Sequence, residues 1–158
     1  MPAKDVVVTG SFAINKYILT YTLDGNVYKT YEVEFGKNIV TENAPAKEGY
    51  TFSGWSEIPA TMPARDVIVT GTFSKGQYVL TYVVDGKTYK TFGYDYGDQI
   101  ATEAVPIKEG YTFSGWSEIP STMPSKNVTV TGSFTINSYS LTYFVDGEEY
   151  KKISITYG

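Results

Sequence analysis

Tyr17-Ile18-Leu19-Thr20-Tyr21-Thr22-Leu23-Asp24-Gly25 (17–25, YILTYTLDG) is the stretch that decides the fold class. Tyr17, Leu19, Tyr21 and Leu23 fall on one side of an extended chain and Ile18, Thr20 and Thr22 on the other, the period-two pattern of a strand with one buried face. Asp24-Gly25 separates this run from a second, Val27 to Phe35. Asp-Gly in that position predicts a two-residue type I′ hairpin, because both central residues of the turn need φ > 0. On the second strand Tyr31, Val33 and Phe35 share a face and are expected in the core.

The pattern recurs along the chain. Tyr21, Tyr82 and Tyr143 step by 61 residues, as do Gly10, Gly71 and Gly132, the methionines Met1, Met62 and Met123, and the pair Trp55 and Trp116. KEGYTFSGWSEIP occurs at Lys47 to Pro59 and again, letter for letter, at Lys108 to Pro120. Such a fixed period means tandem units. The Asp-Gly signal repeats at Asp85-Gly86 and Asp146-Gly147, so Phe92, Tyr94 and Tyr96, then Ile153, Ile155 and Tyr157, join the expected core. By phase, residues 1–14 match the closing strand of a unit, 17–75 and 78–136 are complete units, and 139–158 match an opening hairpin. Ala13 to Lys16, Ser74 to Gln77 and Thr135 to Ser138 are expected to be short linkers.

Between Gly36 and Gly49 the alternation gives way to Ile39, Thr41, Glu42 and Pro45, with room for a turn or two of helix before proline interrupts it. A short helical crossover is expected there. Tyr50 to Trp55 and Asp66 to Phe73 read as two further strands, with Gly54 and Gly71 marking bulges or close backbone approach. The expected fold is mainly β, or small α+β: a hairpin, a short helix or turn and two more strands per unit.

Composition narrows the function. The chain has 158 residues, 13 basic and 17 acidic side chains, and a net charge of −4, which argues against nucleic acid, since phosphate binding needs clustered Lys and Arg. With no Cys and no His, structural zinc and thiol chemistry are excluded, and no Asp-x-Asp-x-Asp loop suggests calcium. No cofactor and no metal is expected. Fifteen Tyr, eight Phe and two Trp favour strands, and no apolar run is long enough to cross a bilayer as a helix. Met1 is followed by Pro2, Lys4 and Asp5 rather than a signal peptide, so a secretion signal is expected to lie outside these residues.

The hairpin followed by Phe35-Gly36 or Tyr96-Gly97, a single Ile and a Pro, the run Lys-x-Gly-Tyr-x-Phe-x-Gly-Trp (Lys47 to Trp55, Lys108 to Trp116) and a closing Val-x-Val-x-Gly-x-Phe strand together resemble the Listeria-Bacteroides repeat family, the internalin-type B repeats of bacterial surface proteins. The resemblance covers essentially the whole chain. It implies β-grasp units strung along secreted or wall-anchored proteins, with no catalytic residues to carry over. The closing strand departs from the family's usual ending, with Thr-Gly-Ser/Thr-Phe in place of aromatic-Ala-x-Trp.

Glu32 and Glu34 share a strand face and invite comparison with an acid pair. Their counterparts are Gly93 and Asp95, so the pair does not recur, and a solvated face is the better reading. Trp55 and Trp116 are expected to be core rather than platforms for sugar rings, since small units without disulfides need their large apolar groups inside. Tyr28, Tyr89 and Tyr150 have the opposite parity from the second strand's core face and are the candidate ligand-binding residues, with packing near the Asp-Gly turn the favoured alternative. The expected function is a non-enzymatic stalk or spacer, extracellular, at a bacterial surface or secreted. Its expected partners are neighbouring repeats. Head-to-tail self-association and a glycan- or host-protein-binding module are the alternatives.

Overall fold

The computed structural model describes residues 3–158, and the chain divides into two compact units, Met1–Ser74 and Lys75–Gly158. In the first, the alternating run forms β1 (Lys16–Leu23), which turns through Asp24-Gly25 into β2 (Asn26–Glu34). Asp24 has φ 50° and Gly25 φ 81°, both in the left-handed region that a type I′ turn requires. After β2 come the short β3 (Tyr50–Phe52), then β4 (Val67–Gly71) and β5 (Phe73–Lys75). β1 is central: it pairs antiparallel with β2 and parallel with β4, Leu19 lying opposite Val67 and Tyr21 opposite Val69. β5 pairs instead with β3, in a separate two-stranded sheet.

The expected single strand from Asp66 to Phe73 is therefore two strands broken at Thr72, and the Tyr50 to Trp55 strand stops at Phe52. The chain must leave β1 to reach β3, and Asp24 fixes the switch: its N–H donates to the Gly71 carbonyl (3.1 Å) and its Oδ1 accepts from Phe73 N–H (2.9 Å). Gly71 sits beside the exit, where an added Cβ would come within 2.5 Å of the Phe52 ring. Close approach, rather than a bulge, explains this glycine. Gly54 has φ 87° and lies past the end of β3.

No helix occurs among the described residues, and so none is long and apolar enough to span a membrane. The short helical crossover expected between Gly36 and Gly49 is replaced by an irregular strap. Its backbone groups are engaged elsewhere: Gly36 N–H donates to Met62 O, Met62 N–H to Lys37 O and Ile39 N–H to Ala60 O, all within 2.8–3.0 Å. Only three residues then remain between Thr41 and Pro45, and the residue before a proline is disfavoured in the α region.

The core gathers on β1 and β4. Leu19, Tyr21, Met62, Val67 and Val69 are buried, with Tyr17, Val33, Ile39, Trp55 and Ile58 packed on them. β2 is an edge strand, and a strap covers less of its face than a helix would. Tyr31 and Phe35, assigned to the core from their parity, are accordingly 41% and 55% exposed; Phe35 also lies beyond the end of β2.

The second unit repeats this plan with β6 (Gln77–Val84), β7 (Lys87–Asp95), β8 (Tyr111–Phe113), β9 (Val128–Gly132) and β10 (Phe134–Ile136). Leu80, Tyr82, Met123 and Val130 are buried, and Phe92, Tyr94 and Trp116 pack against them. Tyr96 is half-buried. The unit ends in the hairpin β11 (Ser138–Val145) and β12 (Glu148–Thr156), where no closing strand is paired to β11 among the described residues. Of the expected core residues there, Ile153 is half-buried, while Ile155 and Tyr157 are exposed.

An added Cβ at Gly132 would clash with the Phe113 ring, whereas nothing lies within 4 Å of the corresponding point at Gly10. Gly132→Val should therefore cost about 1–3 kcal/mol through overpacking, and Gly10→Val should leave stability unchanged. Urea unfolding of the two variants checks the contrast.

Candidate functional site

The register of the hairpin slips between Tyr21 and Thr22: Tyr21 faces Lys29, but Thr22 faces Val27. Tyr28 is left as the extra residue of a β-bulge, which re-aims a side chain out of strict alternation. The same slip occurs after Tyr82 and after Tyr143. A bulge explains why Tyr28, on the outward parity by simple counting, reaches the core side. Its ring lies 6.1 Å from that of Trp55 at 33°, and Tyr89 lies 6.0 Å from Trp116 at 37°.

Around each half-buried tryptophan the other rings meet edge-on. Tyr21 stands 4.9 Å and Phe52 5.0 Å from Trp55, with Tyr82 at 4.8 Å and Phe113 at 4.9 Å from Trp116. The series continues from Phe52 to Phe73 and on to Tyr50, which Lys47 caps with its ammonium 3.9 Å from the ring centre. Lys108 stands 3.6 Å over Tyr111 in the same way. Tyr28, Tyr89 and Tyr150 thus have different surroundings: the first two cover a tryptophan, while Tyr150, whose hairpin has none, is 74% exposed.

Glu42 ties the strap to this cluster. Its N–H donates to the Tyr21 hydroxyl (3.3 Å), its carbonyl accepts from Trp55 Nε1 (2.9 Å), and its carboxylate accepts from Lys29 Nζ and the Tyr31 hydroxyl, each at 2.6 Å. Glu103 repeats the first two bonds with Tyr82 and Trp116 and pairs with Lys90 at 2.7 Å. Phe92 stands in place of Tyr31, so the fourth bond is lost. Strand counting missed this role for Glu42 and Glu103, although both hold the same place in the repeat. Met62 and Met123 were legible only as repeat markers, and the structure buries both.

Hydrogen bonds from Lys29, then Tyr31, hold the Glu42 carboxyl below the ordinary glutamate range. The bond to Glu42 raises both the Lys29 ammonium and the Tyr31 phenol. Beside this triad an open groove of about 570 Å³ runs between β2 and the strap, lined by Lys16, Leu19, Tyr31, Val33, Ile39 and Glu42. Glu32 projects to solvent and pairs loosely with Lys16 at 3.6 Å, an exposed contact of small energetic weight. Among the described residues no three His, Cys, Asp or Glu gather where a metal could be held. The arrangement positions a strap; it presents no activated nucleophile beside a base.

The Listeria-Bacteroides repeat domain model matches residues 17–63 and 78–138. The chain belongs to this family. Internalin H of Listeria monocytogenes is 32% identical over 143 residues, covering 77% of this chain and 25% of that protein. A putative membrane protein of Evansella cellulosilytica is 24% identical, covering 93% of the chain and again 25% of the relative. The chain thus spans about a quarter of the length of these relatives. Among solved structures, streptococcal SHIRT domains 3–4 from a cell surface protein align over 77% of the chain and 98% of theirs, at 15% identity and TM-score 0.30. The Mub-RV structure aligns over the same shares at 12% identity and TM-score 0.26. As a member of the family the chain is a tandem structural repeat.

Trp116→Ala removes an aromatic group packed on the core and leaves the Glu103 carbonyl without its donor, so a loss of about 3 kcal/mol is expected, read as a shift of the denaturation midpoint. A lowered carboxyl binds fewer protons folded than unfolded, so Glu42 stabilises above the usual carboxylate range and that contribution is lost as pH falls through its lowered value. Lys29 and Tyr31, both raised, lose theirs as pH climbs through their raised values. Glu42→Gln should therefore flatten the acid-side fall in stability between about pH 5 and pH 2, followed by Trp55 fluorescence in a Trp116→Phe background.

Proposed function

We propose that the chain is a length of stiff spacer in a bacterial surface or secreted protein, a non-enzymatic stalk that holds another part of its protein away from the cell. Membership of a structural repeat family supports the reading. The observation that carries it is the joint between residues 78–136 and the last hairpin of the second unit.

That joint, expected to be a linker over Thr135 to Ser138, is strand almost throughout: β10 ends at Ile136 and β11 begins at Ser138, with only Asn137 between. Asn137 N–H donates to Gly110 O (2.8 Å), its Oδ1 accepts from the Thr112 hydroxyl (2.6 Å), and its carbonyl accepts from Tyr157 N–H (2.9 Å). The Tyr157 ring lies against Gly110, where any Cβ would clash, and Gly110 has φ 75°. A hairpin tied at its root by three hydrogen bonds and a ring has little freedom to swing. The divisions 1–14, 17–75, 78–136 and 139–158 then stand as successive pieces of one repeated design. We read that design as β-grasp-like, on the first strand paired antiparallel to its neighbour and parallel to the closing strand.

In NMR relaxation the hairpin of β11 and β12 should tumble with residues 78–136, and Tyr157→Ala or Gly110→Val should release it. Small-angle scattering should give a radius of gyration well above the roughly 15 Å of a globule of this length. A globular value, or a hairpin already independent in the parent, sinks the spacer reading.

A further inference from the structure

The hairpin of β11 and β12 shows a face and an edge that both complete repeats cover. Tyr143 is 46% exposed where Tyr82 is 0%, and Leu141 is 41% exposed where Leu80 is 0%. What covers them in the complete units is the closing strand: β4 on β1, and β9 on β6. The chain also carries a third copy of that strand, Asp5 to Phe12 (DVVVTGSF), against DVIVTGTF at 66–73 and NVTVTGSF at 127–134. Residues 5–12 belong to no strand, and Val8 is 90% exposed.

We propose that β11 is a docking edge for Asp5 to Phe12 of a second copy of this chain, which adds as a parallel strand and joins molecules head to tail. The repeat dictates the register. Leu19 faces Val67 and Leu80 faces Val128, so Leu141 takes Val6; Tyr143 takes Val8, and Val145 takes Gly10.

Three further hydrogen bonds recur in both complete units and have their atoms ready here. Phe73 N–H donates to Asp24 Oδ1 and Phe134 N–H to Asp85 Oδ1, each at 2.9 Å; Phe12 and Asp146 are the counterparts. Asp24 N–H donates to Gly71 O and Asp85 N–H to Gly132 O, each at 3.1 Å; Asp146 and Gly10 follow. Ile18 N–H donates to Asp66 Oδ1 (2.8 Å) and Val79 N–H to Asn127 Oδ1 (2.9 Å); Ser140 and Asp5 complete the set. Backbone pairing supplies the attraction, and the alternate valines supply selectivity.

Side-chain parity makes the contact testable. Val8 corresponds to Val69 and Val130, both fully buried, whereas Val7 corresponds to Ile68, which is 67% exposed. Sedimentation velocity on the 158-residue protein should show head-to-tail species growing with concentration. Val7→Asp should associate like the parent, while Val8→Asp, blocked as donor, and Tyr143→Asp, blocked as acceptor, should each remain monomeric. Mixed, the two blocked variants still hold one good donor and one good acceptor, so they should form a 1:1 dimer and nothing larger. A parent that stays monomeric at the highest attainable concentration overturns the proposal. So does association that Val8→Asp leaves intact, or a mixture that yields no dimer.

Discussion

The backbone of Glu42 is held between two aromatic side chains, its N–H on the Tyr21 hydroxyl and its carbonyl on Trp55 Nε1. This clamp stands where a crossover helix would otherwise cover the sheet. A helix satisfies its own backbone groups, but an irregular strap cannot, and every polar group it buries needs a partner. Tyr and Trp suit the task, because each carries a large apolar body and one polar atom at the tip. Tyr21 is fully buried among Leu19, Met62 and Val69 while its hydroxyl holds the strap. Strap and core are therefore fastened by the same residues, and one cannot be loosened alone.

The second constraint is the passage of the chain from one sheet to the other after Gly71. Asp24 serves the hairpin turn through its backbone and the exit of the closing strand through its carboxylate. Asn would also tolerate the left-handed turn, but the carboxylate makes a charge-assisted acceptor for Phe73 N–H. Phe52 then closes over Gly71 so tightly that no side chain fits. The Thr-Gly-Ser/Thr-Phe ending follows from this exit: Gly for the approach of the ring, Phe to join the aromatic series that runs to Tyr50.

The two complete repeats keep the clamp and vary what surrounds it. Glu42 gathers Lys29 and Tyr31, whereas Glu103 gathers Lys90 alone because Phe92 has no hydroxyl. Glu32 and Glu34 become Gly93 and Asp95 on the outer face. Such variation falls where solvent reaches the strand, while Leu19 and Leu80, Tyr21 and Tyr82, Met62 and Met123 are kept in identical surroundings. Repeats that share their buried parts can stack without each needing a new solution to the joint.

The hairpins, their turn type, the period and the family were legible in the sequence, because alternation, an Asp-Gly pair and a recurring spacing are local or self-comparing signals. Close approach at Gly71 was legible too, since a glycine within a strand pattern has few other uses. Three features belonged to tertiary structure alone. Tyr31 and Phe35 have core parity but lie at an edge, and only the order of strands reveals which strand is central. Tyr28 has outward parity yet covers Trp55, because a bulge adds one residue to the strand and resets the count. The strap replaces a helix because residues 36–39 find hydrogen-bond partners in residues 60–62, and partners some twenty residues away leave no mark on the local pattern from which helix or strand is read.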